Sequence, residues 1–320
     1  MKKYIIASLC LVLIIFCIAC RAKTKDVYFK DNKTVQVMGS INANGEYVVE
    51  PITYTLAEGV IDSNPGVYGE RYTYVGPGNI HYSMALQPNA NKTLFDASKL
   101  KKDGEKYEYY SANGELISTW GIDVSKYQGE INWNKVKAAG VEFVIIRLGY
   151  RGYGWAGKIV YDENFKKNIE GAQAVGIEVG VYFFSQALND AEALEEAQFV
   201  IDAIKDYNIT YPVVFDTEAI SDSLNPRTKN ITKERVTLNC KVFCDAIEKA
   251  GYDSMIYYNM PWCAKKLDLS MLNDYDIWYA DYLPMPQSPY IFNMWQYTGT
   301  GRVDGINGDV DINIYIKEYK

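Results

Sequence analysis

From residue 120 onward, short apolar runs alternate with longer stretches whose apolar positions recur at helical spacing. The apolar runs predict strands at 120–124, 143–148, 178–184, 213–215, 254–258, 277–280, 292–297 and 310–315. The amphipathic stretches predict helices at 133–139, 162–175, 190–207 and 233–250. Gly140, Gly176 and Gly251 each follow a predicted helix, where a left-handed cap belongs. Eight strands in a repeating strand–helix order predict an α/β fold, a TIM-like (β/α) barrel. The segments 284–291 and 298–309 are short and hold Gly and Pro, so neither has room for a crossover helix. The last strands are therefore predicted to be helix-poor, with antiparallel neighbours, and the barrel to be irregular.

The first third reads differently. Residues 37–118 are rich in Tyr, Gly, Asn and Thr, with turn signals at Asn44-Gly45, Gly76-Pro77-Gly78 and Asn113-Gly114. They predict a small β-rich module, with a hairpin formed by 106–110 and 115–119 around 111–114. Lys2 and Lys3 precede an apolar stretch over 4–19, short for a spanning helix and suited to a secretory signal. Ala19-Cys20 resembles the end of a bacterial lipobox and makes Cys20 a lipidation candidate, although Cys17 stands where Leu, Val or Ile is usual. An uncleaved N-terminal anchor competes with that reading, and residues 21–36 read as a polar tether. Either way the bulk of the chain is expected outside the cell, secreted or attached to a bacterial surface through its N-terminus. Cys240, Cys244 and Cys263 have neither metal spacing nor an obvious pairing, and read as packing thiols.

Composition narrows the chemistry. A net charge of −7 offers no basic stripe for nucleic acid. His81 is the single histidine and precedes the predicted barrel, so a histidine triad or a His-rich metal site is not expected. Carboxylate chemistry is the economical option; no metal or cofactor is expected, and a monomer is. The 28 tyrosines combine an apolar face with a polar tip, which suits sugar contacts.

The strongest chemical signal is the run YPVVFDTE at 211–218. On a strand, Asp216 and Glu218 share a face, with Cα atoms about 6.6 Å apart. Two carboxyls held side by side repel, which separates their proton affinities, and acid-assisted glycoside cleavage needs such a separation. Asp123 ends the first predicted strand and Asp311 lies on the eighth. Acids at the ends of three strands converge at one barrel mouth, unlike a local acidic run on a solvated face.

Eight motifs then appear in one order: GIDVSKYQG, FVIIRLGYRG, GVYFFSQA, VVFDTE, YYN, IWYADY, WQYTGTG and GDVDIN. Together they resemble the family 25 glycoside hydrolases, the Chalaropsis-type lysozymes or N-acetylmuramidases, over residues 119–320. The resemblance implies an irregular barrel whose final strands lack helices. It implies peptidoglycan as the partner and cleavage of the β-1,4 bond between N-acetylmuramic acid and N-acetylglucosamine. Glu218 corresponds to the general acid, Asp216 to its strand partner, and Asp123 and Asp311 to two further carboxylates lining the site. Asp216 is left either as nucleophile or as the group orienting the substrate's acetamido nucleophile, with the second favoured for an N-acetylated sugar.

Tyr182, Phe184, Tyr258, Trp278 and Trp295 lie near strand ends as candidates for sugar contact, with barrel packing the alternative for each. Arg147 ends the second strand, to pair with an active-site acid or to form a structural ion pair. Asp281 is out of phase with Trp278 and Ala280 and ranks below the four acids; Asp309 is assigned to a turn. Two rival functions remain. A chitinase-like endo-glucosaminidase would use a D-x-D-x-E run, whose first acid is replaced here by Val214. A non-catalytic wall-binding module would be free to lose Glu218 or Asp123, and both are present.

Overall fold

The computed structural model describes residues 56–67 and 69–317, and the backbone of four short strands between 27 and 49. The expected signal over 1–20, with Cys20, lies outside the described residues, as does the Asn44-Gly45 turn. Two compact units divide the chain, Met1–Leu86 and Gln87–Lys320.

In the first unit, Val27–Tyr28 pairs with Thr34–Val35, so a short antiparallel ladder occupies part of the segment expected as a tether. Gly39–Ile41 pairs with Tyr47–Val49 on either side of the expected turn. A three-stranded sheet follows, Ile80–Ala85 lying between Ile61–Asp62 and Arg71–Gly76. Its Gly78 takes the positive φ of 73° that the Gly-Pro-Gly turn requires.

The second unit begins about thirty residues before the boundary expected at 118/119, because residues 87–117 pack against the barrel. The Tyr107 ring lies 5.1 Å from that of Trp295 and 4.9 Å from that of Tyr297. Lys106–Tyr109 pairs with Leu100–Asp103, a strand the sequence reading missed. On its other side the predicted 111–114 turn closes through an isolated bridge between Tyr110 and Leu116.

Eight strands form a closed ring: β1 (Ser118–Val124), β2 (Phe143–Arg151), β3 (Glu178–Phe184), β4 (Val213–Asp216), β5 (Ser254–Asn259), β6 (Asp276–Ala280), β7 (Met294–Gly301) and β8 (Val310–Ile316). β1 pairs parallel with β2 and antiparallel with β8, which closes the barrel. The helices are few: α1 (Trp133–Ala138), α2 (Phe165–Ala174), α3 (Asp190–Ile204), α4 (Lys233–Lys249) and the short α5 (Met260–Lys266). Side chains of Asn132, Asn189, Thr232 and Asn259 cap α1, α3, α4 and α5 by accepting from first-turn backbone N–H groups. Gly140, Gly176 and Gly251 have φ of 90°, 71° and 90°, as expected of residues that end helices.

Two expectations are corrected. β7 and β8 pair antiparallel, but β6 and β7 pair parallel despite the missing helix. A parallel return past a five-residue strand needs only about 17 Å, which the extended chain between β6 and β7 spans without helical packing. The helix expected from 162 starts instead at Phe165, because Ile159–Tyr161 adds an antiparallel edge to β2.

Side-chain alternation sorts the barrel into two layers. Phe143, Ile145, Val214, Met255, Tyr257, Trp278, Ala280 and Met294 belong to the inner cluster, with Tyr182 and Tyr315 packed against it. Gly121 makes room there: a Cβ at this position would stand 2.5 Å from the Phe143 ring. The opposite phase faces the helices, as where Phe215 meets Phe243 of α4 and Phe183 meets Phe199 of α3. Each such buried ring contributes about 2–3 kcal/mol. This two-layer register decides which side chains reach the mouth.

Candidate active site

Strand geometry brings the four predicted acids together. On the β1–β8 ladder Asp123 stands directly opposite Asp311. Asp216, the last residue of β4, is paired with Phe184 of β3 and Tyr257 of β5. Val214, two residues earlier on β4, belongs to the inner cluster, so alternation aims Asp216 into the barrel above it. Glu218 follows on the same side, with its carboxyl beside that of Asp216. Asp123 and Asp216 are buried, while Glu218 and Asp311 are partly open to solvent.

Crowding acids in a dry mouth raises their proton affinities. Asp123 is pushed well above the usual carboxylate range, first by burial and then by the charge of Asp311; hydrogen bonds from Asn313 and Gln296 act against this. Burial and the nearby Glu218 and Asp123 hold Asp216 well above that range, with Arg147 opposing. Glu218 is raised chiefly by burial, and the neighbouring Asp216 carboxyl acts to lower it. Asp311 rises to about 6, mainly through burial. Burial raises both members of the Asp216–Glu218 pair, and Asp216 is the more deeply buried of the two. Separated affinities were expected of this pair; the drier position belongs to Asp216 rather than Glu218.

The surrounding residues hold these acids in place. Gln296 Nε2 and Asn313 Nδ2 donate to Asp123 Oδ2 at 2.8 and 2.9 Å. Gln296 Oε1 accepts from the hydroxyls of Tyr257 (3.1 Å) and Tyr282 (2.9 Å), and Asn313 Oδ1 accepts from Trp278 Nε1 (2.8 Å). Asp216 is braced from β3: the Ser185 N–H donates to the Asp216 carbonyl at 2.8 Å. Ser185 Oγ donates to the buried Glu196, which Arg151 also grips, at 2.5 and 2.6 Å.

The secondary candidates separate by phase. Tyr182 faces the acids: burial, then Asp123, pushes its phenol well up, and its ring meets Trp278 edge-on at 6.2 Å. Trp278 is in the inner layer, almost fully buried, and bound to Asn313. Phe184 is half-buried beside Asp216. Tyr258 and Trp295 do not reach the mouth. Tyr258 is buried on the outer face against Tyr279. Trp295 packs on Tyr107 and donates to the Asp281 carbonyl. Both hold the opposite phase from Tyr257 and Gln296, which point inward. Arg147 takes its structural alternative, pairing at 2.6 Å with the fully buried Asp162, whose carboxylate also accepts from the Lys126 N–H. Asp281 ties its own loop by accepting from the Tyr279 hydroxyl and the backbone of Leu283 and Gln287. Asp309 pairs with Arg302 at the surface.

Sequence reasoning missed Gln296, Asn313, Tyr257 and Tyr282. Alternation was the available signal for the first three. Asn313 lies two residues beyond Asp311, Gln296 two beyond the inner Met294, and Tyr257 two beyond the inner Met255. Tyr282 stands in a loop, where no periodicity marks it.

The sequence matches the family model described as Glycosyl hydrolases family 25 over residues 122–306, more than half of the chain. The chain belongs to glycosyl hydrolase family 25. Among its relatives, the autolytic lysozyme of Clostridium acetobutylicum is 26% identical over 194 residues, 60% of this chain and 54% of that protein. Lysozyme M1 of Streptomyces globisporus is 30% identical over 203 residues, 60% of this chain and 66% of the relative. This chain thus spans between about half and two thirds of the length of these curated relatives. Among solved structures, the modular autolysin LytC from Streptococcus pneumoniae, in complex with a synthetic peptidoglycan ligand, aligns with a TM-score of 0.56. The match covers 91% of this chain and 72% of LytC at 20% identity, a likeness of fold.

Proposed function

We propose that this family 25 chain is a peptidoglycan hydrolase that cleaves the β-1,4 bond between N-acetylmuramic acid and N-acetylglucosamine. The observation that carries the reading is the convergence of Asp123, Asp216, Glu218 and Asp311 from three strands on one mouth, each with its proton affinity raised. The named lysozymes among the relatives support the same substrate class.

Glu218 is the general acid. It is raised by burial yet partly open, so it keeps a proton and can meet the glycosidic oxygen. Asp216 Oδ1 is buried and has no hydrogen-bond partner among the described residues. A substrate acetamido N–H supplies the missing donor. That donor stabilises the Asp216 carboxylate and so favours the proton on Glu218, where the leaving group needs it. Asp216 therefore orients the acetamido group as nucleophile, the substrate-assisted route, in preference to attacking directly. We read the fold as an irregular (β/α) barrel with helix-poor final strands. The N-terminal sequence supports export and attachment to the cell surface, through a lipidated Cys20 or an uncleaved anchor.

The test is Glu218→Gln, assayed for clearing of purified peptidoglycan with the new reducing ends identified. The expected result is a folded protein with at least about a 100-fold loss of activity. Near-normal clearing by the variant, or reducing ends on N-acetylglucosamine in the unmodified protein's products, refutes the assignment.

A further inference from the structure

The hydrogen bonds around Asp123 run in one direction. An indole N–H only donates, so Trp278 fixes Asn313 with its carbonyl toward the ring and its amide nitrogen toward Asp123. Asp123 Oδ2 must accept there. Gln296 Nε2 reaches the same oxygen from β7, while its carbonyl takes the Tyr257 and Tyr282 hydroxyls. Among the described residues both hydrogen bonds to the Asp123 carboxyl fall on Oδ2.

We propose that Trp278, Asn313 and Gln296 are positioning residues acting through Asp123: they fix Oδ2 as an acceptor and leave Oδ1 free to accept from an N–H or O–H of the bound glycan. The inference rests on the glycoside-hydrolase reading for its ligand, while the relay itself rests on geometry. It gives Trp278, a candidate for sugar stacking by sequence, a different task.

The relay matters because Asp123 is set among like charges. Asp311 of β8 faces it across the ladder, with Asp216 and Glu218 of β4 nearby. The phenols of Tyr182, Tyr257 and Tyr282 look toward it from β3, β5 and the loop after β6. Arg147 of β2 acts on the neighbouring Asp216, and its guanidinium is engaged by Asp162. Without the two amides Asp123 Oδ2 loses both of the hydrogen bonds it accepts among the described residues, and the carboxyl holds its proton to a higher pH.

The experiment compares the unmodified protein with Asn313→Leu, Gln296→Met and Trp278→Phe by carboxyl ¹³C NMR titration of Asp123 and by the pH profile of peptidoglycan clearing. The relay predicts that Asp123 titrates at least about half a pH unit higher in each folded variant. The acid limb of the profile should move up by the same amount, so activity falls more at acidic pH than at neutral pH. Asn313→Gln, which keeps the donor, should restore part of the shift. An unchanged Asp123 titration in Asn313→Leu and Gln296→Met, with activity lowered equally at all pH, overturns the proposal and marks these residues as packing. If the unmodified protein clears no peptidoglycan while the titrations still move, the positioning role stands and the assigned reaction falls.

Discussion

Asp311→Asn tests the electrostatic account of the site through stability, without reference to turnover. The Asp311 carboxyl is raised from 3.8 to about 6, chiefly because folding half-buries it. A raised carboxyl holds its proton longer when folded, so its ionisation opposes folding. The penalty is absent below about pH 4, grows between pH 4 and 6, and is complete above about pH 6. A shift of about two units corresponds to about 3 kcal/mol, and partial solvent access lowers this to about 1–3 kcal/mol. Removing the charge also relieves Asp123, which stands directly opposite and is raised by it. Urea unfolding of both proteins at pH 3.5, 5.0 and 7.5 checks this. The variant should match the parent at the lowest pH and exceed it by about 1–3 kcal/mol at the highest, about 2–10 °C in Tm. Equal or lower stability of the variant at pH 7.5, or a gain independent of pH, refutes the claim that these acids are held against their electrostatic preference.

Other outcomes follow from the same structure. Asp162→Asn should lower stability by about 3 kcal/mol, because it leaves the mostly buried Arg147 guanidinium without its carboxylate; chemical denaturation measures it. Gly121→Val should cost about 1–3 kcal/mol or prevent folding, since its side chain would enter the Phe143 ring; thermal melting and soluble yield report this. Trp295→Phe should reduce stability while leaving KM for peptidoglycan unchanged, because the indole binds the Asp281 carbonyl outside the mouth; a rise in KM with stability intact would return Trp295 to the site. Clearing activity should fall on the alkaline side as Glu218 loses its proton, at a pH above the ordinary carboxylate range, and a pH–rate profile locates that limb.

The sequence alone determined the number of barrel strands, the helices that follow the early strands and the glycines that end them. These are local properties: period-2 and period-3.6 patterns, capping residues and positive φ act within a few residues of themselves. It also marked the four acids as candidates, because Asp123, Asp216 and Asp311 lie on strands with clear apolar runs and Glu218 follows two residues after Asp216. Tertiary structure decided everything that depends on which face of a strand looks inward. Trp295 and Gln296 are neighbours with equal claims by sequence, and only the ring of paired strands turns Gln296 to Asp123 and Trp295 to Tyr107. Arg147 is legible on its strand, yet its partner Asp162 reads by pattern as the start of a helix, because the antiparallel edge at Ile159–Tyr161 has no local signature. The parallel pairing of β6 with β7 was likewise beyond local reading, since a helix-free crossover and a hairpin connection look alike until the ends of both strands are fixed in space. Which of two adjacent carboxyls holds a proton belongs to the same class. It depends on burial and on charges contributed by distant strands, and those meet only when the barrel closes.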